Sequence, residues 1–397
     1  MSPATIRETT GMNILCVTSS APGHMDFGGG GFVVLGQTLE NYGHSVAWLS
    51  FGAQVERLNK AGCAVEMQPC LEGLCMNPFF EAKDIRSYTN QHQFKINSIR
   101  EFYHLLVKKR PDVILIDRLL VYGGLVAEQL NIPYIAIGTP GGYWNFYHAN
   151  QEFNVYPVNN PINEFYIYGQ YLKEELNWVR GEITSFWVNS PFLNINFMSR
   201  EFYPLTDKQK SLSANVYHHQ NKLPEKTGKR LGISFGNQGN KEDLLVFLKH
   251  ALTSTAVQLP IDVFVGNNEI IYQNLSAVYD QTQIVLHQWV DFGDYFSDLS
   301  CLAFLGGIGT IWRCIDNGLP MLVIPGNIGD QLFNAKRVHT IGCGICLQEC
   351  DLESGKICAA ITQCLQNDVY TNQNYKLRSF ETHSDDLESI CERILRI

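Results

Sequence analysis

The sequence predicts an α/β protein of two domains, each a parallel sheet flanked by helices. Three observations carry this: short apolar runs alternate with segments of helical periodicity, strands twice run into a glycine turn, and one polar stretch divides the two series. With 397 residues and 45% hydrophobic content the chain can bury two cores, whereas one domain of that length is unusual. The expected boundaries are 12–220 for the first domain, 221–229 for the linker, 230–380 for the second domain and 381–397 for a helix packing back across both.

Residues 12–17 form an apolar strand after a polar extension. A glycine-rich turn follows, and residues 32–39 carry helical spacing that ends at Gly43, a residue suited to the left-handed conformation past a helix. The strand 45–50 completes a βαβ unit, which implies parallel pairing with a right-handed crossover. From Pro111 to Pro133 the pattern recurs, with a buried strand over 113–116, a helix over 124–130 and the next strand from Tyr134. Asp117 therefore ends a strand, where ligands collect in open α/β sheets.

Aromatic residues concentrate between 139 and 214, Tyr143, Trp144 and Phe146 among them. They suit either a flat, greasy ligand or the buried helix faces of an insertion. After the polar linker, residues 230–236 are a strand entering a turn at Gly236, and further strands are expected over 261–265, 284–286, 301–305 and 321–324. At the C-terminus Leu387, Ile390, Cys391, Ile394 and Leu395 fall at helical spacing after Ser384, a suitable cap.

A net charge of −9 argues against a nucleic acid or an anionic membrane as main partner, since both demand clustered Lys and Arg. No apolar run is long enough to span a bilayer and the first residues lack the apolar core of a signal peptide, so a cytoplasmic protein is expected. The twelve cysteines have no paired framework spacing, which favours reduced thiols. Cys343, Cys346 and Cys350 have a spacing a metal would accept, but a G-x-G turn at Gly342 and Gly344 makes ordinary packing the better reading, and no metal site is expected.

Function is written most clearly in residues 285–347. The apolar run 302–305 stops at Gly306-Gly307-Ile308-Gly309-Thr310, opening a helix whose unpaired N–H groups and positive dipole end suit phosphate oxygens. Glycines there admit a phosphate close to the backbone. Downstream come Gly318, Pro320, Pro325, Asp330, Gln331, Asn334 and Ala335, and upstream Trp289. In that order and at that spacing these residues resemble the donor-sugar signature of the UDP-glycosyltransferases, including the bacterial antibiotic-, macrolide- and carotenoid-modifying members.

The resemblance implies a GT-B fold, in which two Rossmann-like domains face a central cleft. It implies that Trp289 stacks on the nucleobase, that Gly306, Gly307, Gly309 and Thr310 cradle the diphosphate, and that Asp330 and Gln331 bond the sugar. Gly236 fits a close approach to phosphate. The donor would be a UDP- or TDP-sugar, used as co-substrate with no resident cofactor, and the acceptor a small hydrophobic or aromatic molecule meeting Tyr143, Trp144 and Phe146. His24 stands at the family's catalytic-base position and Asp117 at that of its orienting acid, so inverting transfer is implied. On the residues alone, His24 equally suits a helix cap and Asp117 a loop-amide acceptor.

Three departures qualify this picture. Leu305 stands where the family has a diphosphate-binding histidine and Arg313 where it has the glutamate that bonds the ribose. A leucine donates nothing, while a guanidinium in place of a carboxylate removes an acceptor and adds a ligand for phosphate or another acidic group. Four glycines, 28–31, replace the usual turn after the histidine, as in retaining GT-B enzymes. A changed donor, a changed reaction, and a pseudo-glycosyltransferase that binds without turnover are the alternatives; the persistence of His24, Asp117, Asp330 and Gln331 favours an active enzyme.

Overall fold

The computed structural model describes residues 11–19, 31–75, 85–138, 190–196, 201–202, 213–215, 230–236, 241–253, 259–266, 268–279, 284–288, 290, 295–326, 329–366, 368–380 and 387–397. The chain divides into two compact units, Met1–Tyr217 together with Ser384–Ile397, and His218–His383.

In the first unit the strands are β1 (Asn13–Val17), β2 (Ser45–Ser50), β3 (Val65–Met67), β4 (Val113–Asp117), β5 (Tyr134–Gly138), β6 (Leu193–Asn196) and β7 (Ser213–Asn215). The helices are α1 (Gly31–Asn41), α2 (Gln54–Lys60), α3 (Leu71–Leu74), α4 (Ile85–Lys109) and α5 (Val121–Gln129). The strands lie in the order β3-β2-β1-β4-β5-β6-β7, and every pair is parallel. Winding runs outward from β1 in one direction and restarts at β4 in the other, so the order reverses between β1 and β4.

Alternation along these strands buries Leu15, Val17, Ile114 and Ile116 against Ile99, Phe102 and Leu106 of α4 and Tyr122 and Val126 of α5. Each such side chain contributes about 1.5–3 kcal/mol of transfer free energy. Gly43 has φ +86°, the left-handed value its place after α1 requires. Gly36 lets α1 approach β2 closely, because a Cβ there would sit 2.3 Å from the Trp48 ring.

The second unit contains β8 (Arg230–Ser234), β9 (Ile261–Phe264), β10 (Ile284–His287), β11 (Leu299–Phe304), β12 (Met321–Val323) and β13 (Gly344–Cys346). Its helices are α6 (Glu242–Thr253), α7 (Glu269–Val278), α8 (Ile308–Asp316), α9 (Gly329–Thr340), α10 (Ser354–Gln366) and α11 (Asp368–Phe380). The order β10-β9-β8-β11-β12-β13 is again all parallel, with its reversal between β8 and β11. Leu231, Ile233, Val263, Cys301, Ala303 and Leu305 pack on Phe247 and Leu248 of α6 and on Ile357 and Ile361 of α10. One polar cluster interrupts this sheet: buried Asp262 accepts from Arg230 and bonds His287 Nε2 at 2.9 Å. The final helix, α12 (Leu387–Leu395), packs on α1 of the first unit and buries Ile390, Cys391 and Ile394.

Candidate functional site

The reversal point of the second unit brings the glycine turn and α9 together. Gly306 has φ +93°, and a Cβ on it would stand 2.9 Å from the Gln331 carbonyl oxygen and 3.0 Å from Val323 Cγ1. Only glycine fits both the conformation and the space. Its carbonyl accepts from Asn334 Nδ2 at 3.0 Å, so the first turns of α9 are tied to the end of β11. Gln331, in the same turn, is 6% exposed, and among the described residues its Oε1 has no hydrogen-bond partner.

Gly307 is the N-cap of α8, with the extended values φ −63° and ψ 131°. Its carbonyl receives Thr310 N at 3.1 Å and Ile311 N at 3.2 Å, so the amides of residues 308 and 309 precede these first turns of the helix. A Cβ on Gly307 or Gly309 would meet nothing within 4 Å among the described residues, which leaves space beside the start of the helix. The amphipathic helix fixes the rest: Ile308, Ile311, Trp312, Cys314 and Ile315 are buried. Gly309, Thr310 and Arg313 share the half-exposed face. Arg313 is thus about one turn from the helix start.

Gly236 belongs to the same place. Ser234 and Phe304 are paired across β8 and β11, and Gly236 and Gly306 each lie two residues further on. Gly236 has φ +57°, and among the described residues a Cβ on it would meet nothing within 4 Å. Leu305 is different. It is 4% exposed and shares the face of Cys301 and Ala303, inside the core, so it offers no group to this site.

In the first unit the reversal point holds Asp117. Val17 pairs with Ile116, which puts Ser19 beside the end of β4. Asp117 is buried; its Oδ2 accepts from the Ser19 amide at 3.3 Å and from the Ser19 hydroxyl, and its Oδ1 from the Leu119 amide at 2.9 Å. Around it, burial pushes the Arg118 guanidinium down to about 10 against the opposing pull of Asp117. Burial pushes the Cys75 thiol up to about 12, with Asp117 adding to the rise and Lys95 opposing it. Lys95 is itself buried, its Nζ 5.3 Å from the centre of the Tyr122 ring.

His24, Trp289, Tyr143, Trp144 and Phe146 lie outside the described residues, as does the side chain of Asp330, whose backbone is the second residue of α9. Cys343, Cys346 and Cys350 are free thiols, the first buried with its Sγ donating to the Val338 carbonyl at 3.4 Å. Gly342 takes φ +75°, and Gly344 enters β13 with no room for a Cβ beside the Met321 carbonyl. Three residues of these neighbourhoods had no assigned role from the sequence: Ser19, Lys241, whose Nζ lies 3.3 Å from the Gly236 carbonyl, and Asn334. Of the three, Asn334 alone carries a signal in the sequence, its place in the motif that begins at Asp330.

Residues 251–389, which include the glycine turn and the start of α9, match the family described as Erythromycin biosynthesis protein CIII-like, C-terminal domain. Across 96% of this chain and 97% of the relative, the sequence is 21% identical to the uncharacterized UDP-glucosyltransferase YdhE of Bacillus subtilis (strain 168). The fold is that of the GT-B glycosyltransferases. It is similar to that of CalG4, the calicheamicin glycosyltransferase, with a TM-score of 0.73 and 16% identity over 98% of each chain. It is also similar to the spinosyn rhamnosyltransferase SpnG, at 18% identity and a TM-score of 0.66 over 97% of this chain and 100% of that one. SpnG has been observed with spinosyn aglycone and with thymidine diphosphate. Among the described residues, no helix is long and apolar enough to cross a membrane.

Proposed function

We propose that this protein transfers a sugar, with inversion, from a UDP- or TDP-sugar to a hydroxyl or similar nucleophile on a small hydrophobic or aromatic acceptor. The observation that carries the proposal is the bond from Asn334 to Gly306, which sets Gln331 beside an open helix N-terminus at the reversal point of the second sheet. Such a place receives phosphate oxygens from the backbone and sugar hydroxyls from the α9 side chains.

In this reading His24 takes the acceptor proton as the acceptor oxygen bonds the anomeric carbon, and the carbon–oxygen bond to the diphosphate breaks with its electron pair leaving on phosphate oxygen. Asp117 orients the histidine and balances its positive form. The amides after Gly307, the Thr310 hydroxyl and the Arg313 guanidinium stabilise the departing diphosphate. Trp289 stacks on the base, Asp330 and Gln331 hold the sugar, and Tyr143, Trp144 and Phe146 meet the acceptor.

Calorimetric titration with UDP, TDP and GDP tests the donor half: binding of UDP or TDP is expected, and binding of none of the three would overturn it. Product stereochemistry by NMR, with turnover of His24→Ala on a matched donor and acceptor, tests the chemical half. Retained configuration, or undiminished turnover in the variant, counts against it.

A further inference from the structure

A bound diphosphate carries more negative charge than the Arg313 guanidinium alone balances, and Leu305, directed into the core, supplies no further donor. On the neighbouring loop Lys241 does. It stands immediately before α6, and its Nζ donates to the Gly236 carbonyl at 3.3 Å. Because Gly236 and Gly306 follow paired residues of adjacent strands, this ammonium belongs to the same end of β8 and β11 as the start of α8.

The lysine is held where its surroundings disfavour it. A helix start already carries partial positive charge, which Glu242 and Asp243 answer and Lys241 opposes. Partial burial lowers its pKa, and no neighbouring carboxylate counters that effect among the described residues. Its hydrogen-bond partner is a neutral carbonyl. Across the reversal point lies Gln331, buried, with an oxygen that no described residue satisfies. A cation held by a neutral group and an unsatisfied amide side chain, on either side of open glycines, are complementary to a ligand carrying both negative charge and hydroxyl groups.

We infer that Lys241 is a second cationic ligand of the donor's diphosphate, beside Arg313, and makes the site selective for nucleoside diphosphates over monophosphates. The inference rests on the donor reading of the second unit. The full chain and its variants Lys241→Met, Lys241→Gln and Lys241→Arg are titrated calorimetrically with UDP, TDP, UMP and TMP, with thermal melts confirming that each variant is folded. Wild type is expected to bind diphosphates more tightly than monophosphates. Met and Gln should weaken diphosphate binding by about tenfold or more while leaving monophosphates unchanged, and Arg should keep most of the affinity. The salt dependence of diphosphate binding should also become shallower in the Met variant.

Wild-type diphosphate binding that persists in both neutral variants, or an equal loss of mono- and diphosphates, overturns the role of Lys241 and leaves the donor site standing. A wild type that binds none of the four nucleotides overturns the donor site and this inference with it.

Discussion

Asn334 Nδ2 donates to the Gly306 carbonyl at 3.0 Å, joining two segments 28 residues apart in a buried setting. Asn334→Ala leaves that carbonyl without this donor, which costs about 1–3 kcal/mol where a buried acceptor loses its partner. A lower Tm together with weaker UDP or TDP binding is the expected result. Unchanged values for both would mean that the bond does not organise the turn.

Gly306 and Gly307 are adjacent but should respond differently to alanine. At 306 the positive φ and the 2.9 Å approach to the Gln331 carbonyl make Gly306→Ala destabilising by about 1–3 kcal/mol. At 307 the backbone is ordinary and the added methyl enters open space, so Gly307→Ala should keep its Tm and lose nucleotide affinity. Calorimetry of unfolding and of binding separates the two effects; equal losses of stability would contradict the account.

Ser19 holds Asp117 through both its amide and its hydroxyl. Ser19→Ala removes one of these donors and should cost roughly 1 kcal/mol of stability. If Asp117 orients the base, kcat should also fall, by about tenfold, with little change in the donor KM. A variant with full kcat would leave the bond a purely structural one.

Burial raises the thiols of Cys63, Cys70, Cys346 and Cys391 to about 11 and those of Cys75 and Cys364 to about 12. The unfolded chain releases these protons at lower pH than the native chain. Stability from this source is therefore full below about pH 8.5 and declines as pH rises toward 11 and 12. Urea midpoints measured under reducing conditions should fall across that range, and a flat profile would contradict it. At pH 8 a thiol reagent should label exposed Cys350 well before the buried cysteines.

Much of this architecture is legible in the sequence because local rules specify it. The strand from Asn13, the stop at Gly43 and the helix after Gly306-Gly307 each follow from apolar runs and glycine placement within a few residues. The helix expected over 124–130 starts earlier, at Val121, because the chain turns directly from Asp117 into it. Helix α4 is poorly announced by the sequence: Ile96, Ile99, Phe102 and Leu106 form a helical stripe, but the polar residues 86–93 dilute it. The partners Ser19 and Lys241 were invisible for another reason. Each depends on which strand lies beside which, a fact set by sheet order and not by nearby residues. Leu305 was legible as a substitution, yet its direction into the core follows from its alternation with Cys301 and Ala303.

The docking of α12 onto α1 makes the first unit depend on a segment synthesised after the whole of the second. Until residues 387–395 emerge, the patch that receives Ile390 and Ile394 has no cover, so the amino-terminal half is made first and finished last.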